Sequence, residues 1–208
     1  MNSSKIACDF LTSKLKLEIL AEQNNITKAD CFHALFVFCK THPQSSLLPK
    51  IRRKLKANIA ASFLSYGGAR DKFAAEYGMS EHKLISIIYE VVDDHSLLPN
   101  DTAADRLFRK LTQGRVFCVA SMPKRIVNII GKYYTNSPIS QSALAKSYGI
   151  NDFSISTILR RGIADGIFDE ELANKVYAKV RDCKYMTKST MKAYNAAFDK
   201  RMALQDES

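Results

Sequence analysis

Two stretches of the chain, 71 residues apart, carry the same pattern of apolar, small and turn-forming residues. Residues 70–89 read RDKFAAEYGMSEHKLISIIY, and residues 141–161 read QSALAKSYGINDFSISTILRR. Because so many matches at one offset are hard to obtain by chance, we interpret the two stretches as an internal duplication. The alternative is two unrelated amphipathic helical hairpins. The seven matching pairs are Phe73 and Leu144, Ala74 and Ala145, Tyr77 and Tyr148, Gly78 and Gly149, Met79 and Ile150, Leu84 and Ile155, and Ile87 and Ile158.

Each stretch predicts two helices joined by a tight turn. In the second stretch, Gly149 can adopt the positive φ that such a turn needs, and Asn151 is placed to cap the following helix. Ile155 and Ile158 are three residues apart, so they face inward on one side of that helix. The arrangement is typical of a helix-turn-helix, whose second helix lies in the major groove of DNA.

The similarity extends beyond the two stretches. Residues 104–111 resemble residues 173–180 at an offset of 69, and residues 48–50 resemble residues 122–124 at an offset of 74. The offset changes at each connection, as expected if loops vary in length and helices do not. We therefore expect an all-α protein with two tandem helix-turn-helix units and extra helices at both ends. The expected parts are an N-terminal helical segment (1–46), a first unit (47–112), a second unit (113–181) that begins near Gly114, and a basic C-terminal helix or tail (182–208).

The N-terminal segment predicts a helix over residues 4–23, followed by a very apolar run at residues 31–39. Thr27 and Asp30 have the spacing of a capping box in front of that run. A helix that is apolar on all sides cannot stand alone in water. It either packs on the first unit or pairs with another chain, so a homodimer through this segment stays open.

Four residues of the same region, Cys31, His33, Cys39 and His42, raise the question of a metal site. If residues 28–41 form one helix, Cys31 and Cys39 are roughly 12 Å apart along its axis. A single zinc ion, with bonds of about 2.0–2.3 Å, cannot bind both. We expect buried, reduced thiols and no metal.

Composition limits the classes of function. The formal net charge is +10 and the pI is about 9.4, which favours a polyanionic partner such as nucleic acid. No segment approaches the roughly 18 consecutive apolar residues of a membrane helix, and the N-terminus lacks the apolar run of a signal peptide. With an odd number of cysteines, five, the chain is expected to be cytoplasmic. It has no phosphate-binding glycine loop and no catalytic constellation, so we expect neither an enzyme nor a cofactor.

The candidate DNA-binding residues follow from the outward faces of the predicted helices. Hydroxyls and guanidinium groups on the second helix of a unit can reach base edges and phosphates. The basic run at residues 50–56 precedes the first helix-turn-helix, and no acidic residue lies between residues 50 and 70. The run is therefore either a phosphate-contacting surface or a solvated helix face. The second unit is expected to read DNA better, because in the first unit Glu81 would repel phosphate and an exposed Ile85 is unusual on a DNA-reading face. The candidates are Ser154, Ser156, Thr157, Arg160, Arg161, Lys124 and Arg125 in the second unit, and His82, Lys83, Ser86, Tyr89, Lys50, Arg52, Arg53 and Lys54 in the first.

A further set of residues in the first unit forms a recognisable pattern: Ile59, Phe63, Gly67, Gly68, Phe73, Ala74, residues 76–80, Ile87 and Ile88. In these residues the first unit resembles the helix-turn-helix region of the Mor family of phage middle-operon transcription activators. The resemblance rests on about 40 residues per unit. This likeness implies a bacterial, phage or plasmid-type regulator that binds duplex DNA through the second helix of each motif. The chain departs from that family by carrying two units.

A second interpretation remains open beside sequence-specific transcription regulation. The two units could form a protein-interaction module that docks on RNA polymerase or on another regulator, with little DNA contact. Binding of random duplex DNA at low and high salt distinguishes the two interpretations.

Overall fold

The computed structural model describes residues 3–12, 16–113, 119–183 and 187–206. Within these ranges all regular structure is helical and no strand is present, which confirms the prediction of an all-α protein. A short 3-10 turn lies at Val119–Ser121. The α-helices are α1 (Ser3–Thr12), α2 (Leu17–Gln23), α3 (Lys28–Thr41), α4 (Leu48–Ser65), α5 (Arg70–Glu76), α6 (Glu81–Asp93), α7 (Asp101–Thr112), α8 (Lys124–Asn136), α9 (Gln141–Tyr148), α10 (Asp152–Ala164), α11 (Glu170–Arg181) and α12 (Lys188–Asp206).

The chain forms two compact units, Met1–Asn100 and Asp101–Ser208. The division differs from the expected one, which ended the first unit at residue 112. α7 belongs to the second unit because two of its carboxylates bind that unit: Asp101 accepts from Arg125 of α8, and Asp105 accepts from Tyr148 of α9. Gly114, the expected junction, lies outside the described residues.

In the first unit, α4 packs against α6, and α3 contacts both α4 and α5. The core is aromatic where these helices meet, because Phe73 lies against Phe63 and Tyr77 at ring-centroid distances of 5.2 and 4.7 Å. The single helix expected over residues 4–23 is wrong. Lys16 has an extended backbone (ψ 158°), so α2 begins anew at Leu17. Residues 13–15 lie outside the described part.

The apolar run at 31–39 lies within α3, and the predicted capping box is confirmed. Thr27 accepts a hydrogen bond from the backbone of Asp30, whose side chain in turn accepts from the Thr27 backbone. Cys31 and Leu35 point into the core of the first unit, whereas Phe36 remains 51% exposed. The helix is therefore buried on one side and apolar on part of its open side.

In the second unit, α10 packs against α8, α9 and α12. Phe168 lies in the core against two glycines, since a β-carbon at Gly162 would come within 2.1 Å of its ring and one at Gly131 within 2.7 Å. Gly162 lies inside α10, where the missing side chain makes room for Phe168.

Candidate nucleic-acid interface

The turns of the two units share one backbone geometry. Gly78 and Gly149 both have positive φ, 62° and 67°, as the sequence predicts for Gly149. Each following helix is capped by a side chain: Ser80 accepts from the backbone of Lys83 at 3.2 Å, and Asn151 accepts from the backbone of Ser154 at 2.8 Å. The start of α6 and the start of α10 are thus fixed in the same way.

A second link joins the beginnings of the two helices in each unit. In the first unit, Arg70 pairs with Glu81 at 2.7 Å. In the second unit, Gln141 donates to the backbone carbonyl of Asp152 at 2.6 Å. These positions are again 71 residues apart. The link draws Glu81, which was expected to repel phosphate, into an ion pair.

A buried tyrosine precedes each glycine and donates to a carboxylate. Tyr77 donates to Glu18 at 2.6 Å, and Tyr148 donates to Asp105 at 2.6 Å. Burial, reinforced by the neighbouring carboxylate, raises the pKa of both phenols, which therefore stay protonated. Arg109 completes the second site, since its guanidinium lies 3.9 Å from the Tyr148 ring centroid and pairs with Asp105.

Sequence reasoning did not identify the carboxylates of these two tyrosine sites. The only local indication was the spacing of Asp105 and Arg109, four residues apart on one helix face. Glu18 gave no such indication, because its partner lies 59 residues away.

The outward face of α6 is open at its N-terminal end. His82 and Lys83 are exposed, and Ser86 and Tyr89 are half-buried. Further along the helix, the exposed residues Glu90 and Asp93 are acidic. Of the four candidates on α6, His82, Lys83 and Ser86 therefore lie in its first turn and a half, and Tyr89 lies about one turn further along.

The outward face of α10 is largely covered by α12. The Tyr194 hydroxyl is buried against α10 and donates to the backbone carbonyl of Ser156 at 2.7 Å. Ser156 donates back to the Tyr194 oxygen, and Thr157 donates to the carbonyl of Phe153. Only the first residues of this helix and its cap are exposed, with Phe153 at 77%. The expectation that the second unit presents the better reading face does not fit this packing.

Two arginines expected to contact DNA are held inside the second unit. Arg161 donates to the carbonyls of Val119 and Met122 at 2.9 and 3.1 Å, and its side chain is 21% exposed. Arg125 is only 4% exposed and pairs with Asp101 at 2.7 Å. Both fix the start of α8 and its neighbours. The remaining candidates of the unit are Lys124, which is exposed, and Ser154 and Arg160, which are half-buried.

The basic run on α4 divides into two groups. Lys50, Arg52 and Arg53 are exposed, and Arg53 also donates to the carbonyl of Ser96 at 3.1 Å. Lys54 is bound within the unit, where its ammonium donates to the carbonyl of Phe10 and lies over that ring. Burial lowers the pKa of Lys54. Lys50, Arg52 and Arg53 are therefore accessible to solvent, whereas Lys54 is engaged within the unit.

The cysteine and histidine residues of α3 are not gathered around a common point. Burial raises the pKa of the Cys31 thiol to about 11, and His42 stacks on Phe38 at 4.5 Å. Across the described ranges, no group of three or more His, Cys, Asp or Glu side chains is placed to hold a metal ion.

Comparison with known proteins gives no relative: no family model, no curated protein and no solved structure matches the chain. In the part of the chain that the structure describes, none of the helices combines the length and apolar character needed to cross a membrane.

Proposed function

We propose that this protein binds duplex DNA and regulates transcription, using α5, the turn and α6 of the first unit as a helix-turn-helix. One observation supports this most: His82 and Lys83 are exposed at the capped beginning of α6. Residues in that part of a recognition helix are the ones that contact base edges. The net charge of +10 supplies the attraction to phosphates.

The neighbouring cations of the first unit fit the same role. Lys50 and Arg52 are exposed on α4, and Arg53 reaches the carbonyl of Ser96 just beyond the C-terminal end of α6. α6 has 13 residues, a length of about 20 Å. Basic groups near both of its ends could contact the two phosphate strands that border a major groove about 12 Å wide.

The repeated contacts favour a duplicated helix-turn-helix as the origin of the chain. The glycine turn, the capped second helix, the link between helix beginnings and the tyrosine–carboxylate bond all recur, with their Gly, cap and Tyr positions 71 residues apart. The constant offset of the glycine turn, the cap and the link favours duplication over two unrelated helical hairpins. We infer that the second unit kept the scaffold while α12 came to cover its reading face.

A second candidate function concerns the second unit. Phe153 is 77% exposed, and it borders a cleft of about 680 Å³ with Ser156, Lys179 and Thr190 among its lining residues. An exposed aromatic beside a cleft is typical of a protein-binding surface. The second unit would then dock on RNA polymerase or another regulator while the first unit holds DNA.

The test compares matched variants of the two units in mobility-shift assays with duplex fragments from the gene region of this protein. The His82→Ala, Lys83→Ala variant removes two exposed groups of α6, and the Ser154→Ala, Thr157→Ala variant removes two polar groups of α10. We expect the first variant to lose about 1–3 kcal/mol of DNA-binding free energy for each base contact and the second to bind as wild type. Equal binding by both variants and wild type would contradict the assignment to α6.

A further inference from the structure

A groove of about 530 Å³ lies on the first unit between α3, α4 and α6. Each helix contributes residues at helical spacing, so one continuous face of each lines the groove. Phe32 and Lys40 are eight positions apart on α3, which corresponds to about 12 Å along the helix axis. The groove therefore has the length of about two turns of a helix. Its lining residues are Phe32, Phe36, Cys39 and Lys40 of α3, Arg52, Leu55, Lys56 and Ile59 of α4, and Lys83, Ile87 and Glu90 of α6.

The floor of the groove is apolar and includes an exposed aromatic ring. Ile59 and Ile87 are buried beneath it, and Leu55 is half-buried. Phe36 stands 51% exposed at its side. Large exposed apolar side chains next to a groove are the usual anchors for a partner protein.

The rim of the groove is basic. Lys40, Arg52 and Lys83 are exposed around it, and Lys56 adds a fourth cation. Glu90 is the one carboxylate among the lining residues, and it pairs with Lys56. A ligand of this groove must therefore combine apolar side chains with negative charge.

We propose that this groove binds an amphipathic, acidic helix of a partner protein. Helices of this kind lay an apolar stripe into a hydrophobic groove and keep their charged flanks outside, where they would face Lys40, Arg52 and Lys83. A second copy of this chain fits poorly, because a two-fold interface would bring the same basic rim against itself. The phosphates of DNA also fit poorly, because they offer nothing apolar to cover Phe36. The inference goes beyond DNA binding and does not rest on it.

The experiment uses the full chain and a defined probe. The probe is a fluorescent helical peptide of about 15 residues, with leucines at positions i, i+3, i+4 and i+7 and glutamates on both flanks. Two control peptides keep the length: one replaces the glutamates by lysines, and the other scrambles the order of the residues. We expect saturable binding of the acidic peptide by fluorescence polarisation, and binding at least about tenfold weaker for both controls.

Variants locate the binding on the groove. Phe36→Asp should weaken binding of the acidic peptide about tenfold or more, whereas the matched change Phe153→Asp, at an exposed phenylalanine of the second unit, should not alter it. Glu90→Gln should tighten binding a few fold, because it removes the one carboxylate of the groove and releases Lys56 for the peptide. Phe36 and Phe153 are more than half exposed, and the Glu90 side chain is 49% exposed in a surface ion pair. The fold should therefore persist in all three variants, and circular dichroism checks this.

DNA binding is measured on the same variants to separate this inference from the proposed function. Phe36→Asp should keep wild-type binding of duplex DNA, and His82→Ala should keep binding of the peptide. Three outcomes would overturn the inference. The first is no saturable binding of the acidic peptide. The second is a dimer, seen by light scattering, that Phe36→Asp converts to a monomer while the peptide stays unbound. The third is that duplex DNA displaces the peptide and that DNA binding itself is lost in Phe36→Asp.

Discussion

The phenol of Tyr148 donates a hydrogen bond to Asp105 over 2.6 Å, and both side chains are buried. Tyr77 makes a bond of equal length to Glu18 in the first unit. The tyrosines occupy matching positions of the two stretches, but their acceptors, Glu18 of α2 and Asp105 of α7, are not related by the 71-residue offset. Each unit thus anchors its turn to an earlier helix by a hydrogen bond from a buried tyrosine to a carboxylate; the bond is buried in the second unit and partly buried in the first.

Removing the Tyr148 hydroxyl should destabilise the second unit. Tyr148→Phe keeps the ring but removes the hydrogen bond to Asp105. The buried carboxylate of Asp105 then retains its ion pair with Arg109. Hydrogen bonds to charged groups contribute about 1.5–3 kcal/mol, and we expect a loss of that size in the free energy of unfolding in urea. Tyr133→Phe, at an exposed tyrosine of the same unit, is the control. A loss for Tyr148→Phe no larger than that for the control would contradict the role of the bond.

The two turn glycines should differ in their tolerance of alanine. Both have positive φ, which costs an L-residue about 1–2 kcal/mol. Around Gly149 no atom lies within 4 Å of an added β-carbon, whereas at Gly78 that carbon meets Ala29 at 3.1 Å. We therefore expect Gly78→Ala to lower the thermal midpoint of its unit more than Gly149→Ala lowers that of the other.

Gly67→Ala serves as the control for both changes, because this glycine has neither a positive φ nor a neighbour within 4 Å. It should leave stability unchanged or raise it slightly. Equal midpoints for all three variants would show that the turns are not held in the geometry described.

Acid should weaken the Tyr77–Glu18 contact. Burial raises the pKa of Glu18, but hydrogen bonding and the charge of Lys28 outweigh this and hold the pKa below 4.5. Because the folded-state pKa is lowered, the ionised carboxylate stabilises the fold above the unfolded-state pKa. That stability is lost as the pH falls through the folded-state pKa.

The corresponding measurement compares wild type with Tyr77→Phe and Glu18→Gln in urea unfolding at several pH values between about 6 and about 3. The stability advantage of wild type over either variant should shrink as the pH falls. An advantage that stays constant or grows towards low pH would contradict the account of Glu18.

Arg161 should act as a structural residue. Arg161→Ala removes its bonds to the carbonyls of Val119 and Met122, each worth about 0.5–1.5 kcal/mol. We expect a lower stability of the second unit and unchanged DNA affinity of the folded protein. Arg160→Ala, at the half-buried neighbour, is the comparison. If Arg161→Ala instead lost much of its DNA affinity and kept wild-type stability, Arg161 would be a DNA-contacting residue and not a structural one.

Local features of the fold could be predicted from the sequence. The cap Asn151, the positive φ of Gly149 and the capping box of Thr27 each depend on a few neighbouring residues, and the structure contains all of them. The helical class followed from long stretches with apolar residues at helical spacing. These features are set by short-range backbone chemistry, which a single sequence displays directly.

Contacts between distant segments could not be predicted in this way. We predicted that the polar side of α10 faces DNA. Helical spacing identifies only the apolar face of a helix, and the opposite face is then assumed to be exposed. α12 covers that side with Tyr194, whose hydroxyl donates a hydrogen bond to the backbone carbonyl of Ser156. Because this contact uses a backbone group, it requires no apolar residues on that side of α10, and the sequence gives no sign of it. Arg161 was misplaced for a similar reason, since its carbonyl partners lie 42 and 39 residues away. The apolar spacing of α7 likewise predicts a helix but not whether that helix packs on the first or the second unit.

The most direct test of DNA binding by the first unit is the salt dependence of that binding. Fluorescence anisotropy would follow a labelled random-sequence duplex at several salt concentrations between about 50 and about 200 mM, with wild type and with a Lys50→Ala, Lys83→Ala variant. We predict that log K of the wild type falls linearly with log salt, and that the variant lowers the slope by about two. Absence of binding at the lowest salt, or an unchanged slope in the variant, would contradict duplex-DNA binding by this unit.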